Sequence, residues 1–339
     1  MKVKLVVGPC QPGKCGVGDY ALRLADALRQ AGAVIDVVGD GDWRLRGVPS
    51  LLRNLKRPER EVLHIQYPTV GFGHKLGPQA FAMASPTVVT LHEASRSHWL
   101  RQLSLYPFSL RTKHVIFTSE FDRRLGLRWA PWIATRSSVI PIGSNIETGP
   151  PNRNRTSNEI IYFGLIRPRK GIEDVLDLAR LLKTKSLPLK VRIVGNYGPE
   201  HARYAGGLRE ESNGLPVIWE QDLDGSSVAG RLAASSIAYL PFPDGASERS
   251  GSLKAALANG MAVVTTRGRD TPEGLGQIVW FSSTPAEAIA QIHELAFNRT
   301  LAEALGDRAR TYATTFSWDT VASQHLDIYE KLSTRGPEE

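Results

Sequence analysis

The stretch CQPGKCGVGDYALRLADAL, residues 10–28, decides how the first half of the chain is read. Within it, Gly16-Val17-Gly18-Asp19-Tyr20-Ala21 matches the G-x-G-x-x-G/A spacing of dinucleotide-binding folds. Ala21, Leu24, Ala25 and Leu28 recur at helical spacing, so a helix opens at the glycines. The apolar run before it ends near Gly8, and Pro9 to Cys15 intervene. A dinucleotide turn is tighter, its first glycine following the strand almost at once. Asp36, the candidate ribose acid, sits inside an apolar run rather than at its end. The glycines therefore point away from nicotinamide and flavin. They suit another phosphate, met by first-turn amides and the positive end of a helix dipole. The competing reading is that Gly16 and Gly18 only let a loop pack against the helix start.

Outward from this stretch, apolar runs alternate with helical patterns, the mark of parallel α/β architecture. Strands are expected at Val3–Val7, Val34–Val38, Val62–Gln66, Thr87–Leu91, Val115–Thr118 and Ser138–Pro141. A polar, turn-rich stretch at 147–158 reads as a linker, and the alternation restarts from Glu159. Two doubly wound domains are expected, 1–146 and 159–316, facing across a cleft, with a closing helix over 317–333 capped by Ser317. With 339 residues, 42% hydrophobic and 22% charged, the chain has room for two cores.

No run of eighteen apolar residues occurs, and "MKVKLVVG" meets Gly-Pro too soon for a secretory signal. A cytoplasmic location is expected. Cys10 and Cys15 lack a second pair for zinc and read as two small loop residues. The net charge of +8 favours anionic partners, while no zinc-finger, RNA-recognition or basic-zipper signature points to nucleic acid.

In the second half, "IIYFGLIRPRKGIEDVLDLARLL" (160–182) places Arg167, Arg169 and Lys170 between a strand and a helix, an anion clamp at a strand's carboxyl end. "VRIVGN" and "YLPFPDGASERSGSLKAALANGMAVVTT" follow. With "VVTLHEAS", "VIPIGSNI" and the closing "FSWDTVASQHLDIYEKL", this order resembles the GT-B-fold retaining glycosyltransferases of family 4 over nearly the whole chain.

The resemblance implies hexosyltransferase-like transfer of a sugar from a nucleotide-diphosphate sugar, without a required metal or other cofactor. It also implies a terminal helix crossing back to the first domain. Gly16 and Gly18 would approach the donor diphosphate from the first domain and Lys170 from the second, with His92 near the transferred sugar. The family's arginine after the second-domain glycine is Leu165 here, and Arg167 or Arg169 is expected to replace it. The family's two glutamates are Ala246 and Lys254. A subgroup with a D-G-x-S-x-R-x-G-S loop is matched instead by Asp244, Gly245, Ser247, Arg249, Gly251 and Ser252. Asp244 or Glu248 would meet sugar hydroxyls, and the Gly251 and Ser252 amides would meet phosphate. Lysine cannot accept hydrogen bonds from a ribose, so Lys254 raises the expectation of a deoxythymidine diphosphate sugar. Leu165 and Lys254 also leave open a catalytically silent sugar-nucleotide binder. A nucleotide-sugar epimerase of the same architecture is the other alternative.

The acceptor, a sugar, a lipid-linked group or a small molecule, is expected on the first domain. Arg96, Arg101, Arg111, Lys113, Arg123, Arg124, Arg128 and Arg136 face only Glu120 and Asp122 there, with Trp99, Trp129 and Trp132 interleaved. Basic and aromatic residues together favour an acidic membrane face, here the inner one. Pro131 interrupts a long amphipathic helix in "RRLGLRWAPWIATR", so a solvated basic face with inward tryptophans is the favoured expectation.

Overall fold

Strands covered by helices on both faces lose their polar alternation, and the near-continuous apolar runs of this chain form two parallel sheets accordingly. The computed structural model describes residues 1–10, 15–55, 61–92, 99–150 and 155–334. Arg96, and the side chains of Trp99 and Arg101, lie outside the described residues. The chain divides into two units, one formed by Met1–Gly143 with Phe316–Glu339, the other by Ser144–Thr315.

In the first unit the strands are β1 (Lys2–Val6), β2 (Val34–Val38), β3 (Glu61–Tyr67), β4 (Val88–Leu91), β5 (His114–Phe117) and β6 (Ser137–Val139). They pair in parallel in the order β2-β1-β3-β4-β5-β6. Helices α1 (Gly16–Gln30), α2 (Val48–Asn54), α3 (Gly77–Ala84), α4 (Trp99–Arg111) and α5 (Glu120–Trp129) fill the crossovers. The helical stripe of α1 is the buried one: Ala21, Leu24, Ala25 and Leu28 are fully covered. Removing Leu24 and Leu28 from water contributes about 1.5–3 kcal/mol each. On the other side of the sheet Trp43, Phe72, Phe81 and Phe108 form a second core.

The second unit contains β7 (Thr156–Phe163), β8 (Lys190–Val194), β9 (Val217–Glu220), β10 (Ser235–Leu240), β11 (Ala262–Thr265) and β12 (Trp280–Phe281). Their order is β12-β11-β10-β7-β8-β9. Helices α6 (Ile172–Thr184), α7 (Ala202–Glu211), α8 (Gly225–Ala234), α9 (Gly251–Ala258), α10 (Pro285–Phe297) and α11 (Arg299–Ala313) cover it. From β7 the chain winds outward through β8 and β9, then returns to β10 and winds the other way. The switch point thus lies between β7 and β10, where doubly wound sheets bind ligands beyond the strands' carboxyl ends. β7 begins at Thr156, inside the polar stretch read as linker, because its first residues are mostly exposed and carry no apolar signal.

The last helix, α12 (Trp318–Thr334), belongs to the first unit. Ser317 Oγ caps it by accepting from Thr320 N at 3.2 Å. Val321, Ala322, Ile328 and Tyr329 enter the same core cluster as the α1 stripe. The return of the closing helix, implied by the resemblance, is observed.

Tryptophan orientation departs from expectation. Trp129 packs beside the second core, but Trp132 is 43% exposed. Ser109 O takes its indole N–H at 2.8 Å, which leaves the ring's hydrocarbon to solvent.

Candidate functional site

Two loops meet at the β7/β10 switch point of the second unit. The loop after β7 carries Arg167, Arg169 and Lys170, and the loop after β10 carries Asp244 to Ser250. Gly171 joins them: its φ is +75°, and a Cβ there would lie 1.7 Å from Pro241 O. Only glycine meets both demands, the left-handed backbone and the close approach. The Tyr162 hydroxyl donates to Lys170 O at 3.1 Å and fixes the backbone just before it. Arg169, also at positive φ, reaches Asp244 at 3.2 Å across the crevice. Both partners are well exposed, so this ion pair adds little stability; it records that the two loops face each other. Gly171→Ala should destabilise the second unit by more than about 2 kcal/mol, read as a drop in its thermal midpoint.

The loop after β10 is welded to the chain following β11. Gly245 has φ +82° and a Cβ there would approach Gly268 N to 2.2 Å. Thr271 Oγ1 donates to Ala246 O at 2.6 Å, and Arg249 pairs with Asp270 at 2.6 Å in a half-buried position. Ser247 N donates to Ser250 Oγ at 3.1 Å. The N-cap hydroxyl is therefore turned back into the loop, and α9 starts with no side-chain cap and no acid in its first turn. The start of α6 differs, since Glu173 and Asp174 occupy its first turn. Of the two helix starts at the switch point, α9, at Gly251 and Ser252, is the one left for an anion.

Lys254 lies one turn into α9 and is only 3% exposed. Burial pulls its ammonium down to about 7, opposed by the Glu248 carboxylate, which favours the charged form. Glu248 also raises Tyr312 electrostatically, behind burial as the main cause. Glu248, itself half-buried, thus lies close enough to act on both groups.

In the first unit, α1 begins as the glycine spacing predicts, yet its cap is a thiol. Cys15 Sγ accepts from Gly18 N at 3.3 Å and from Val70 N at 3.4 Å. A Cβ on Gly18 would sit 3.0 Å from Cys10 Cβ, whereas Gly16 is exposed with open space around it. Gly18 is thus tightly packed and its amide donates to sulfur; Gly16 keeps the exposed position at the helix start. Reading the cysteines as two small loop residues missed this cap, because thiols are absent from the usual cap signature.

His92 follows β4 and is 6% exposed. Its Nε2 lies 2.8 Å from Gln66 Oε1, so that nitrogen carries the hydrogen and Nδ1 is left as an acceptor. The Gln66 amide nitrogen stands 3.2 Å from His64 Nε2, which also takes the Thr90 hydroxyl at 2.8 Å. His64 Nδ1 then donates to the Tyr329 hydroxyl at 2.5 Å, tying β3 to α12. Burial pushes His92 down to about 3. It is a neutral, oriented hydrogen-bonding group, unsuited to act as a general acid near neutral pH. His64 and Gln66 had no place in the motif reading; the signal was present as polar side chains inside a seven-residue strand buried throughout.

A separate cavity of about 730 Å3 lies toward the amino ends of the second unit's strands, lined among others by Arg155, Asn259 and Arg310. Arg155 spends its guanidinium on Gly260 O and Asn259 O, closing the end of α9, which is a structural use.

No family model matches the chain. Among curated proteins it is similar to the MMP alpha-(1->4)-mannosyltransferase of Mycolicibacterium hassiacum, 27% identical over 213 residues, covering 58% of this chain and 49% of that protein. The match therefore spans about half the length of that relative. Among solved structures, sucrose-phosphate synthase from Thermosynechococcus elongatus aligns with a TM-score of 0.72 at 17% identity, covering 98% of this chain and 99% of that one. Anabaena HepE, solved in complex with UDP and glucose, aligns at 0.69 and 14%, covering 99% and 100%. The fold is thus of the GT-B kind, two doubly wound parallel sheets with a helix returned to the first.

Proposed function

We propose that this chain is a retaining glycosyltransferase, moving a sugar from a nucleotide-diphosphate donor to an acceptor hydroxyl. The observation that carries the reading is that the loop bearing Arg167, Arg169 and Lys170 and the loop leading to the uncapped start of α9 lie side by side at the switch point, joined by the Arg169–Asp244 ion pair. A departing diphosphate gathers negative charge as the sugar becomes oxocarbenium-like, and fixed cations and amides stabilise that charge without reorganising. Lys170 and Arg167 neutralise the phosphates, while the Gly251 and Ser252 amides meet a phosphate oxygen at the α9 terminus. Asp244 and Ser247 orient sugar hydroxyls, with Gly245 shaping the turn between them. Within the first unit, taken by itself, the exposed Gly16 amide is suited to a phosphate and His92 Nδ1 to accepting from a sugar hydroxyl. Fixed cations do the work that a divalent ion does in other transferases.

The mannosyltransferase relative and the UDP-bound neighbour support a nucleotide-sugar donor and make uridine diphosphate the first nucleotide to try. The expectation of a deoxythymidine diphosphate sugar rests on Lys254, which has no acceptor for a ribose hydroxyl, and a panel of donors decides between the two nucleotides. Incubation with UDP-glucose, GDP-mannose, ADP-glucose and TDP-glucose, beside calorimetric titration of each diphosphate, tests the reading. One donor should release its diphosphate, and that diphosphate should bind. Binding without release across the panel makes the chain a sugar-nucleotide binder, and absence of any binding refutes the assignment.

A further inference from the structure

The outward face of α4 has the wrong chemistry for water. Leu105 and Phe108 on its inner side are buried in the core, as amphipathic spacing requires. The outer positions are Leu103, Tyr106 and Leu110, at i, i+3 and i+7, with exposures of 62%, 42% and 44%. Trp132 extends the patch: its ring meets Tyr106 edge-on at 5.6 Å. The indole N–H is already bonded to Ser109 O, so the polar atom is satisfied inward and the exposed part is hydrocarbon. The ring is also held in place before anything binds, which lowers the ordering cost of an encounter.

Around this patch the charge has one sign. Arg111 and Lys113 are exposed at the end of α4. Arg136 donates to the carbonyls of Ser109 and Thr112, which sets its guanidinium against the last turn of α4 beside Leu110. No acidic residue occurs between Glu93 and Glu120. The acids that follow are engaged in α5: Asp122 is buried against Ser119 at 2.7 Å, and Glu120 faces Arg123 at 3.8 Å. No helix among the described residues is long and apolar enough to cross a membrane.

We propose that this face, Leu103, Tyr106, Leu110 and Trp132 within a rim of Arg111, Lys113 and Arg136, docks on a bilayer carrying anionic lipid. The apolar side chains enter the headgroup–acyl boundary while the cations meet lipid phosphates, the division of labour of an interfacial helix. A two-fold contact with a second copy is disfavoured by the same charges, since it sets a cationic rim against itself. The interrupted segment 123–136 does not supply the amphipathic helix; α4, upstream of Pro131, does.

The test is flotation of the full chain with phosphatidylcholine vesicles, with and without about one third phosphatidylglycerol, at low and high salt. The chain should float with anionic vesicles at low salt and stay behind with the neutral ones or at high salt. Arg111→Gln and Lys113→Gln should each weaken binding about fivefold, the factor equivalent to ~1 kcal/mol per cation near an anionic surface. A triple Leu103→Ser, Tyr106→Ser, Leu110→Ser variant alters only exposed positions, so its thermal midpoint should hold while flotation is lost. Failure of the wild-type chain to float at low salt overturns the proposal, as does wild-type flotation of the triple variant. A dimer in light scattering that the triple variant disperses assigns the face to a second copy and overturns it as well.

Discussion

Lys170→Ala is expected to cut donor turnover at least about a hundredfold, a barrier increase on the order of 3 kcal/mol. The size follows from where the lysine stands. Its carbonyl is held by the Tyr162 hydroxyl, and the next residue is a glycine that nothing else replaces. Lys170 is thus carried on a backbone held on both sides, at the carboxyl end of β7. A cation pre-positioned in this way stabilises charge that develops only as the glycosidic bond breaks, so the loss should fall on kcat more than on KM. Lys170→Arg keeps the charge but replaces a compact ammonium with a planar fork, and should recover part of the rate. Diphosphate release under saturating donor is the measurement, with the thermal midpoint as the control for folding. Near-normal turnover in Lys170→Ala removes the lysine from the mechanism.

The fold was legible because most strands hold a short apolar run and the longer helices, such as α1 and α6, present one apolar stripe. All six strands expected before the polar stretch fall within a residue or two of β1 to β6. Helix α6 buries the residues its period selects, Ile172, Val175, Leu176, Ala179 and Leu182. The loop that carries Arg167, Arg169 and Lys170 was legible as a strand-to-helix connection, and it joins β7 to α6 as expected. Chemistry was not legible where partners are distant in sequence. Nothing local to Arg249 announces Asp270, and nothing local to Gly171 announces Pro241 O. The burial of Lys254 was not legible either: helical spacing gives its place in α9 but not the cover that pulls its ammonium down to about 7.

The other large effect is acid unfolding of the first unit, expected between about pH 6.5 and pH 5. His64, His92 and His325 are buried there, close enough for His325 to oppose the charging of both of the others. Burial is the main cause of each shift: His92 is pushed down to about 3, His325 to about 4, and His64 well below its ordinary value. Asp122 alone favours a charged His92, and weakly. Each folded-state pKa lies below the unfolded value near 6.5, so below that pH the unfolded chain binds the protons and the folded chain does not. Stability is complete above about 6.5 and falls as the pH drops toward the folded values. At pH 5 His92 and His325 each contribute about 2 kcal/mol to unfolding; His114, which burial pushes down to about 4, contributes somewhat less because it is part-exposed, and His64 adds in the same direction. Together they approach the whole stability of many domains. The second unit's buried Lys254 titrates near 7 and adds no comparable loss below that. Fluorescence of Trp43, fully buried in the first unit, should report the transition. His325→Leu removes one of four proton sites, His114 being the fourth, so the loss between pH 7 and pH 5 should shrink by about a quarter. A thermal midpoint of the first unit that stays constant from pH 7.5 to pH 5 contradicts the whole account of a neutral, hydrogen-bonded His64–Gln66–His92 chain. It would mean that protons reach these rings without unfolding the core around them.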